Sequence, residues 1–150
     1  NIPKFLIVSL NNRFSKFISR KKYSKKIFID RSDSKFKHFQ LTNNMEIISR
    51  LKQKNYSVVK LSKLNFFEQI SLFSSSKVII GVHGAGFANL AFCKPRTKVY
   101  EILSKKTKKR NAIRTICRHK KILHKKILAK EIKFQDGATK LFLDISKISI

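Results

Sequence analysis

The sequence predicts an α/β protein: a Rossmann-like parallel sheet with helices on both faces. Short apolar segments of strand length alternate with segments of helical periodicity over residues 26–102, a pattern typical of a parallel sheet. A glycine-rich turn of four residues, His83 to Gly86, follows one predicted strand and precedes an apolar helical segment. The chain has 150 residues, of which 42% are hydrophobic, so a single domain with a real core is expected.

Local signals place the elements in order. Phe14, Phe17 and Ile18 have helical spacing and predict a short amphipathic helix over 12–20. Two N-cap signatures, at Asn43 and Asn65, each have a glutamate three residues later and predict the starts of two further helices. Strands are predicted at 26–30, 56–61, 77–81 and 98–102, helices at 43–54, 65–73 and 85–92, and a loop at 32–42. Beyond residue 105 the signals weaken, with a solvated loop at 105–110, a helix at 111–117 and strands at 121–128 and 141–145.

The charge is strongly one-sided, with 35 Lys and Arg against 8 Asp and Glu, a net charge of +27. A polyanionic partner is one interpretation; compositional drift toward Lys, Ile, Phe, Asn and Ser is the other. No nucleic-acid-binding motif is present, so no specific nucleic acid is expected. No apolar run reaches the ~20 residues of a membrane span, and no signal segment opens the chain. Cys93 and Cys117 lack metal-site spacing, so we expect no metal site and a cytoplasmic location.

The glycine turn is the strongest functional signal. Right-handed crossovers bring the carboxyl ends of parallel strands to one edge, so Arg31, the turn His83-Gly84-Ala85-Gly86 and Glu101 are expected to meet there. Backbone N–H groups of residues 84–87, at the start of the next helix, would form a seat for a phosphate. The string is neither a GxGxxG motif nor a P-loop, and a purely geometric role for the glycines is the alternative.

Three segments together resemble glycosyltransferase family 61, which includes plant β-1,2-xylosyltransferases and the EGF-domain-specific O-GlcNAc transferase. They are IDRSD at 29–33, the N-x-x-E start at 43–46, and NFFEQISLFSSSKVIIGVHGAGFANLAFCKPRTKVYEI at 65–102. The resemblance covers about residues 26–102. It implies that residues 1–150 are the C-terminal, donor-binding half of a GT-B enzyme and that an acceptor domain is expected upstream.

The resemblance also implies the chemistry. The family is inverting, generally needs no metal or cofactor, and transfers a sugar from a nucleotide-sugar donor, commonly UDP-linked, to a glycan hydroxyl. A general base must deprotonate that hydroxyl, and we identify no such base in this chain. The high positive charge suggests peripheral association with an anionic inner membrane. A basic module for nucleic acid or membrane, and a truncated relative that only binds nucleotide, are the alternatives.

Roles for individual residues follow from the negative charge that develops on the diphosphate leaving group. Arg31 is expected to pair with the diphosphate; the alternative is a surface arginine or an ion pair with Asp33. His83 would donate a hydrogen bond to a phosphate or orient the sugar. Asn89 would either hold the turn or reach the ligand. Glu101, which ends its predicted strand, would bind ribose hydroxyls, with a salt bridge to a lysine as the alternative.

Two positions depart from the family pattern, because Ala88 stands where a threonine or serine is common and Asn44 where an acidic residue is common. The glutamates at 46 and 68 are interpreted as helix caps. The remaining histidines, His38, His119 and His124, are predicted to be scattered and exposed.

Overall fold

A computed structural model describes residues 2–19, 21, 23–34, 39–107 and 111–148. Within these residues five parallel strands form one sheet in the order β2-β1-β3-β4-β5, which confirms the predicted α/β, Rossmann-like fold. The strands are β1 (Lys26–Ile29), β2 (Ser57–Val59), β3 (Val78–Val82), β4 (Lys98–Leu103) and β5 (Leu123–Leu128).

Helices and a hairpin surround the sheet. The helices are α1 (Lys4–Phe14), α2 (Asn44–Gln53), α3 (Phe66–Ser75) and α4 (Ala112–His119), with 3-10 helices at Ser15–Phe17, Leu61–Lys63, Ala85–Phe92 and Ile145–Lys147. The antiparallel hairpin consists of β6 (Lys130–Lys133) and β7 (Thr139–Phe142).

Each face of the sheet has its own apolar core, because alternate residues of a strand point to opposite faces. Ile27, Ile79 and Val99 pack on the side of α1, α3, α4 and the 3-10 helix Ala85–Phe92. Phe28 and Ile80 pack on the other side, against α2 and the segment around β7. The middle strands are therefore buried on both faces, which explains their almost uninterrupted apolar sequences.

The strand order determines where a ligand can bind. β2 lies on one side of β1 and β3 lies on the other, so the chain reverses its direction across the sheet at β1. At such a switch point the loops after two neighbouring strands separate and leave a crevice at their carboxyl ends. The residues that follow β1 and β3, including Arg31 and Gly84, flank this crevice.

Several element boundaries differ from the predictions. The helix predicted at 12–20 instead spans Lys4–Phe14 and is followed by the 3-10 helix Ser15–Phe17. The prediction missed the first turns of α1 because Phe5, Leu6 and Val8 are exposed and form no amphipathic pattern. The predicted helix at 85–92 forms, but as a 3-10 helix.

The hairpin was not predicted, and the strand expected at 141–145 is instead β7, which ends at residue 142. Parts of the loops predicted at 32–42 and 105–110, residues 35–38 and 108–110, lie outside the described residues.

The two predicted N-caps have different outcomes. Asn65 is confirmed, because its side chain accepts from Glu68 N at 3.0 Å while Glu68 Oε2 accepts from Asn65 N at 2.9 Å. Asn43 does not cap α2. Its side chain instead donates to Leu143 O at 2.8 Å and accepts from Leu143 N at 3.2 Å, so this amide ties the C-terminal segment to the start of α2.

Replacing Asn65 with alanine is expected to lower the free energy of unfolding by about 1 kcal/mol, because the first turn of α3 loses its reciprocal cap. Urea unfolding followed by circular dichroism measures the change. Ser49→Ala, at an exposed position inside α2, is the control and should be neutral or slightly stabilising. Equal stability of Asn65→Ala and the wild type would contradict the role of the capping box.

Candidate functional site

Four polar side chains form a continuous row across four neighbouring strands. They are Arg31 after β1, His83 after β3, Glu101 in β4 and His124 in β5. Arg31 Nη1 donates to His83 O at 2.5 Å, His83 Nδ1 lies 2.5 Å from Glu101 Oε1, and His124 Nε2 lies 2.8 Å from Glu101 Oε2. In the strand register Glu101 lies beside Gly81, and His124 lies beside Val99. From His83 to Glu101 to His124, each residue is therefore farther from the carboxyl edge than the one before it, and the row crosses the sheet diagonally.

Arg31 lies where the sequence predicted it, beside the glycine turn. Its half-buried guanidinium lines a cleft of about 190 Å³ together with Gly84, Gly86 and Ser62. Burial lowers the pKa of Arg31 and the charge of Asp33 partly opposes this, while Asp33 itself accepts a hydrogen bond from Ser62 Oγ. Within the described residues Arg31 forms no ion pair with Asp33 and donates to no acceptor except His83 O, so further N–H donors are available to a ligand.

Gly84 leaves room for the close approach of Arg31, and its backbone angles do not call for a glycine. Its φ of 171° is extended backbone that any residue adopts. A Cβ at this position would lie 2.7 Å from Arg31 Nη1 and 2.9 Å from Arg31 Cζ, too close for van der Waals contact. An added methyl group would therefore displace the guanidinium. At Gly86 a Cβ would lie 2.6 Å from Leu61 Cδ1, the mobile end of a leucine.

The turn offers unpaired backbone donors. The first hydrogen bond of the 3-10 helix runs from Phe87 N to Gly84 O at 3.1 Å. In the described part of the chain the N–H groups of Gly84, Ala85 and Gly86 have no acceptor. Unpaired N–H groups at a helix start attract anions, and here they lie beside a guanidinium.

Asn89 holds the turn, one of its two predicted roles. Its Nδ2 donates to Gln69 Oε1 at 2.8 Å and to Gly86 O at 3.2 Å. Gln69 in turn donates to Leu61 O and Leu64 O, each at 3.1 Å. The glycine turn is therefore fixed to α3 and to the segment before it, and a contact of Asn89 with a ligand stays a prediction.

Glu101 lies inside β4, which extends to Leu103, and does not end the strand as predicted. It is 1% exposed, and both carboxylate oxygens bond to histidines, not to a lysine as in the alternative. Burial alone would raise the pKa of Glu101, but hydrogen bonds from His124 and His83 and their charges outweigh burial and lower it from 4.5 to about 2. Ribose binding by Glu101 stays a prediction, and a ribose hydroxyl would have to share or replace one of these bonds.

His124 was predicted to be exposed, and this is wrong. Only 8% of its side chain is exposed, because β5 lies beside β4 and turns the imidazole toward Glu101. The only sequence signal was its place in a predicted strand, which gives no neighbour until the strand order is known. His119 is also half-buried, with Nε2 3.2 Å from Ile2 O, so its predicted exposure is wrong as well. His38 lies outside the described residues.

Asp30 stabilises the loop that follows β1. It is 5% exposed and accepts from Ser32 N at 2.9 Å, Ser32 Oγ at 2.8 Å and Asn44 Nδ2 at 3.0 Å. Lys60 Nζ lies 3.8 Å from the same carboxylate. A carboxylate in place of Asn44 could not donate this bond and would repel Asp30, which gives the asparagine at this position a structural reason.

No part of the described chain gathers three or more His, Cys, Asp or Glu side chains in a metal-holding arrangement. Cys93 and Cys117 are buried free thiols. Burial raises the pKa of Cys117 to about 12, with a further rise from the charge of Glu101, and burial also raises that of Cys93. Both thiols are therefore protonated near neutral pH and are poor nucleophiles.

The strand order defines an open-sheet α/β domain, and its switch point and unpaired donors mark a candidate ligand site at the carboxyl edge of the strands. The family model described as Glycosyltransferase 61 matches residues 2–100. The chain belongs to this family and is a glycosyltransferase domain, as its resemblance indicated. A search of curated proteins found no match. The matched residues include Arg31 and the glycine turn, whereas Glu101 and His124 lie beyond them.

Glu101 should make the fold sensitive to acid. Its pKa is lower in the folded chain than in the unfolded chain, so its stabilisation is complete above pH 4.5 and is lost as the pH falls toward about 2. Glu101→Gln cannot titrate. As the pH falls from 4.5 to about 2, the unfolding free energy of the wild type should decrease by about 2 to 3 kcal/mol more than that of Glu101→Gln.

Urea unfolding at several pH values measures this difference. Glu46→Gln, which removes an exposed carboxylate on α2, is the control and should follow the wild-type pH profile. Parallel profiles for Glu101→Gln and the wild type would contradict the stabilised carboxylate.

Proposed function

We propose that this domain binds the nucleotide-sugar donor of an inverting, metal-independent glycosyl transfer. The diphosphate would lie in the crevice between the ends of β1 and β3. The observation that carries the proposal is the guanidinium of Arg31 beside three unpaired N–H groups of the turn at residues 84–86. The family assignment supports the reaction class, and this geometry supports a phosphate site in the crevice.

The chemistry of the leaving group explains these residues. Negative charge grows on the diphosphate as the bond to the sugar breaks, and cations and preorganised N–H dipoles stabilise it when no metal does. The planar fork of Arg31 matches two phosphate oxygens. Because the guanidinium is half-buried and already fixed by His83 O, little ordering is needed when the phosphate arrives.

The remaining predicted residues complete the donor site. His83 would donate to a phosphate oxygen, Ala85 and Gly86 would contribute backbone donors, and Asn89 would keep the turn in place. Glu101 would act mainly through His83, with ribose as a further predicted contact. A UDP-linked donor is the first choice, because the resemblance points to it.

The acceptor would be a glycan hydroxyl. We propose that a second domain of a GT-B enzyme, facing this one, binds the acceptor and carries the base that deprotonates it. This chain would then be the donor-binding half of a cytoplasmic enzyme of polysaccharide or glycan synthesis.

Removal of Arg31 should weaken donor binding. We expect Arg31→Ala to bind UDP-glucose or UDP-N-acetylglucosamine about 10- to 100-fold more weakly, since a charge-assisted hydrogen bond is lost. Gly84→Ala should have a similar effect because its methyl group displaces the same guanidinium. Isothermal titration calorimetry measures both affinities.

Arg50→Ala, at an exposed position on α2, is the charge-matched control and should bind like the wild type. Equal loss in Arg50→Ala would show a general charge effect. Salt-sensitive RNA binding without any nucleotide-sugar binding would contradict the proposal and favour the basic-module alternative.

Peripheral binding to an anionic membrane is a second candidate, favoured by the surface of α1. Phe5 is 65% exposed, and Leu6, Val8 and Leu10 are also exposed. The first 29 residues contain eight Lys and Arg and no acidic residue. Apolar side chains beside basic ones suit the interface of an anionic bilayer. No described helix is long and apolar enough to cross a membrane.

Two adjoining clefts extend the basic surface beside α1. One, of about 460 Å³, is lined by Lys4, Lys120 and Lys121, and Pro95 joins it to a second cleft of about 450 Å³. The cationic side chains of the second cleft are Lys25, Lys77, Lys94, Arg96 and Lys98. No acidic side chain lines the described walls of either cleft.

Vesicle sedimentation tests the membrane proposal. The protein should bind phosphatidylcholine vesicles that contain phosphatidylglycerol and release them at high salt. Phe5→Ser should weaken binding about tenfold, because a large apolar side chain no longer enters the interface. Phe142→Ser, at an exposed site on the hairpin, is the matched control. Equal binding to vesicles with and without anionic lipid would contradict the proposal.

A further inference from the structure

The proposed donor cleft contains an exposed negative charge as well as a positive one. Its lining includes the exposed carboxylate of Asp33 together with Arg31 and residues 84–86 of the glycine turn. The other carboxylate of the lining, Asp30, is buried, accepts three hydrogen bonds within the described chain and faces Lys60. An exposed carboxylate repels a diphosphate, so Asp33 fits a different part of the ligand.

Arg31 and Asp33 are two residues apart in the loop after β1, but they are held toward opposite sides of it. Arg31 Nη1 donates to His83 O, at the end of β3. Asp33 Oδ2 accepts from Ser62 Oγ, in the 3-10 helix that follows β2. Because β2 and β3 lie on opposite sides of β1, the cleft is positive toward β3 and negative toward β2. The charge of Asp33 acts on Arg31, yet within the described residues the two form no ion pair.

The wall formed by Asp33 and Ser62 suits a neutral group with several O–H donors. An ionised carboxylate offers about four lone pairs and no donor, and among the described residues only the Ser62 hydroxyl bonds to Asp33. The Ser62 oxygen has lone pairs of its own. Sugar hydroxyls can donate to this wall, whereas a second anion would be repelled.

The order of groups in a nucleotide sugar indicates which hydroxyls reach Asp33. The diphosphate lies between the ribose and the transferred sugar. The cleft of about 190 Å³ is smaller than the ~300–1,000 Å³ of a site that encloses a whole small ligand, so it has room for the phosphates and one neighbouring ring. With ribose predicted toward Glu101 in β4, the transferred sugar would extend toward β2, where Asp33 lies.

We infer that Asp33 is a specificity-determining residue of the donor site. Its carboxylate accepts hydrogen bonds from hydroxyls of the transferred sugar and excludes sugars that carry a carboxylate of their own. The inference rests on the proposed donor site and deepens it, because it restricts the donor to nucleotide sugars with an uncharged sugar ring. The basis of the selection is charge repulsion against the wrong sugar.

Calorimetric titration with UDP-glucose and UDP-glucuronic acid tests this selection. The two probes share the nucleotide and the ring and differ at the sixth carbon, where a hydroxymethyl group is replaced by a carboxylate. The wild type should bind UDP-glucose at least about tenfold more tightly. The net charge of +27 by itself would favour the more anionic probe. UDP alone is the third probe and reports the contacts of the nucleotide without the sugar.

Variants separate the charge of Asp33 from its link to Ser62. Asp33→Asn removes the charge and keeps an oxygen that accepts from Ser62, so the preference for UDP-glucose should fall about tenfold or more while UDP binds at least as tightly as before. Ser62→Ala breaks the link and keeps the charge, and it should still reject UDP-glucuronic acid. Asp136→Asn, at an exposed hairpin aspartate that accepts from Ala138 N, is the matched control and should keep the wild-type preference.

The outcomes distinguish this inference from the proposed function. If the wild type binds UDP but has equal affinity for the two nucleotide sugars, or prefers UDP-glucuronic acid, the inference is overturned and the donor site stands. An unchanged preference in Asp33→Asn would also overturn it. A tenfold loss of UDP affinity in Asp33→Asn would place the carboxylate at the ribose and overturn its assignment to the sugar. Failure of UDP and both nucleotide sugars to bind would overturn the donor site and, with it, this inference.

Discussion

The buried carboxylate of Glu101 is the constraint on which the site depends. A carboxylate that is 1% exposed is tolerated only when its oxygens are hydrogen-bonded, and here two imidazoles from neighbouring strands do this. The bonds tie β4 to β5 and to the end of β3. They also fix the ring of His83, whose carbonyl receives Arg31. The position of the guanidinium therefore depends on a charge buried two strands away.

The backbone at the switch point supplies the other half of the site. Strand order opens a crevice between β1 and β3, and the turn at Gly84 leaves N–H groups unpaired there. Glycine at this position lets the guanidinium of Arg31 occupy the space that a Cβ would fill. Side-chain charge and backbone dipoles thus converge on one small region, while both faces of the sheet below it are apolar. A negatively charged group is the ligand that this arrangement favours.

The central strands β1, β3 and β4 were predictable because each is a mostly buried run of mainly apolar residues, and α3 was predictable because its capping box is a local signal. The start of α1 was missed, since an exposed apolar helix has no amphipathic period. The cap at Asn43 was wrong because the same side chain meets Leu143, 100 residues away. The hairpin after β5 was missed because short, lysine-rich strands resemble loops in composition.

The sequence by itself determined the alternation of strands and helices, the glycine turn, the arginine at a strand end and the glycosyltransferase family. These features are encoded within segments of a few to about forty residues, so local pattern is enough to identify them. Only the tertiary structure decided that Glu101 is buried between His83 and His124, and that Arg31 lies on the carbonyl of His83. Those contacts arise from strand order and register, which bring residues distant in the chain to one place.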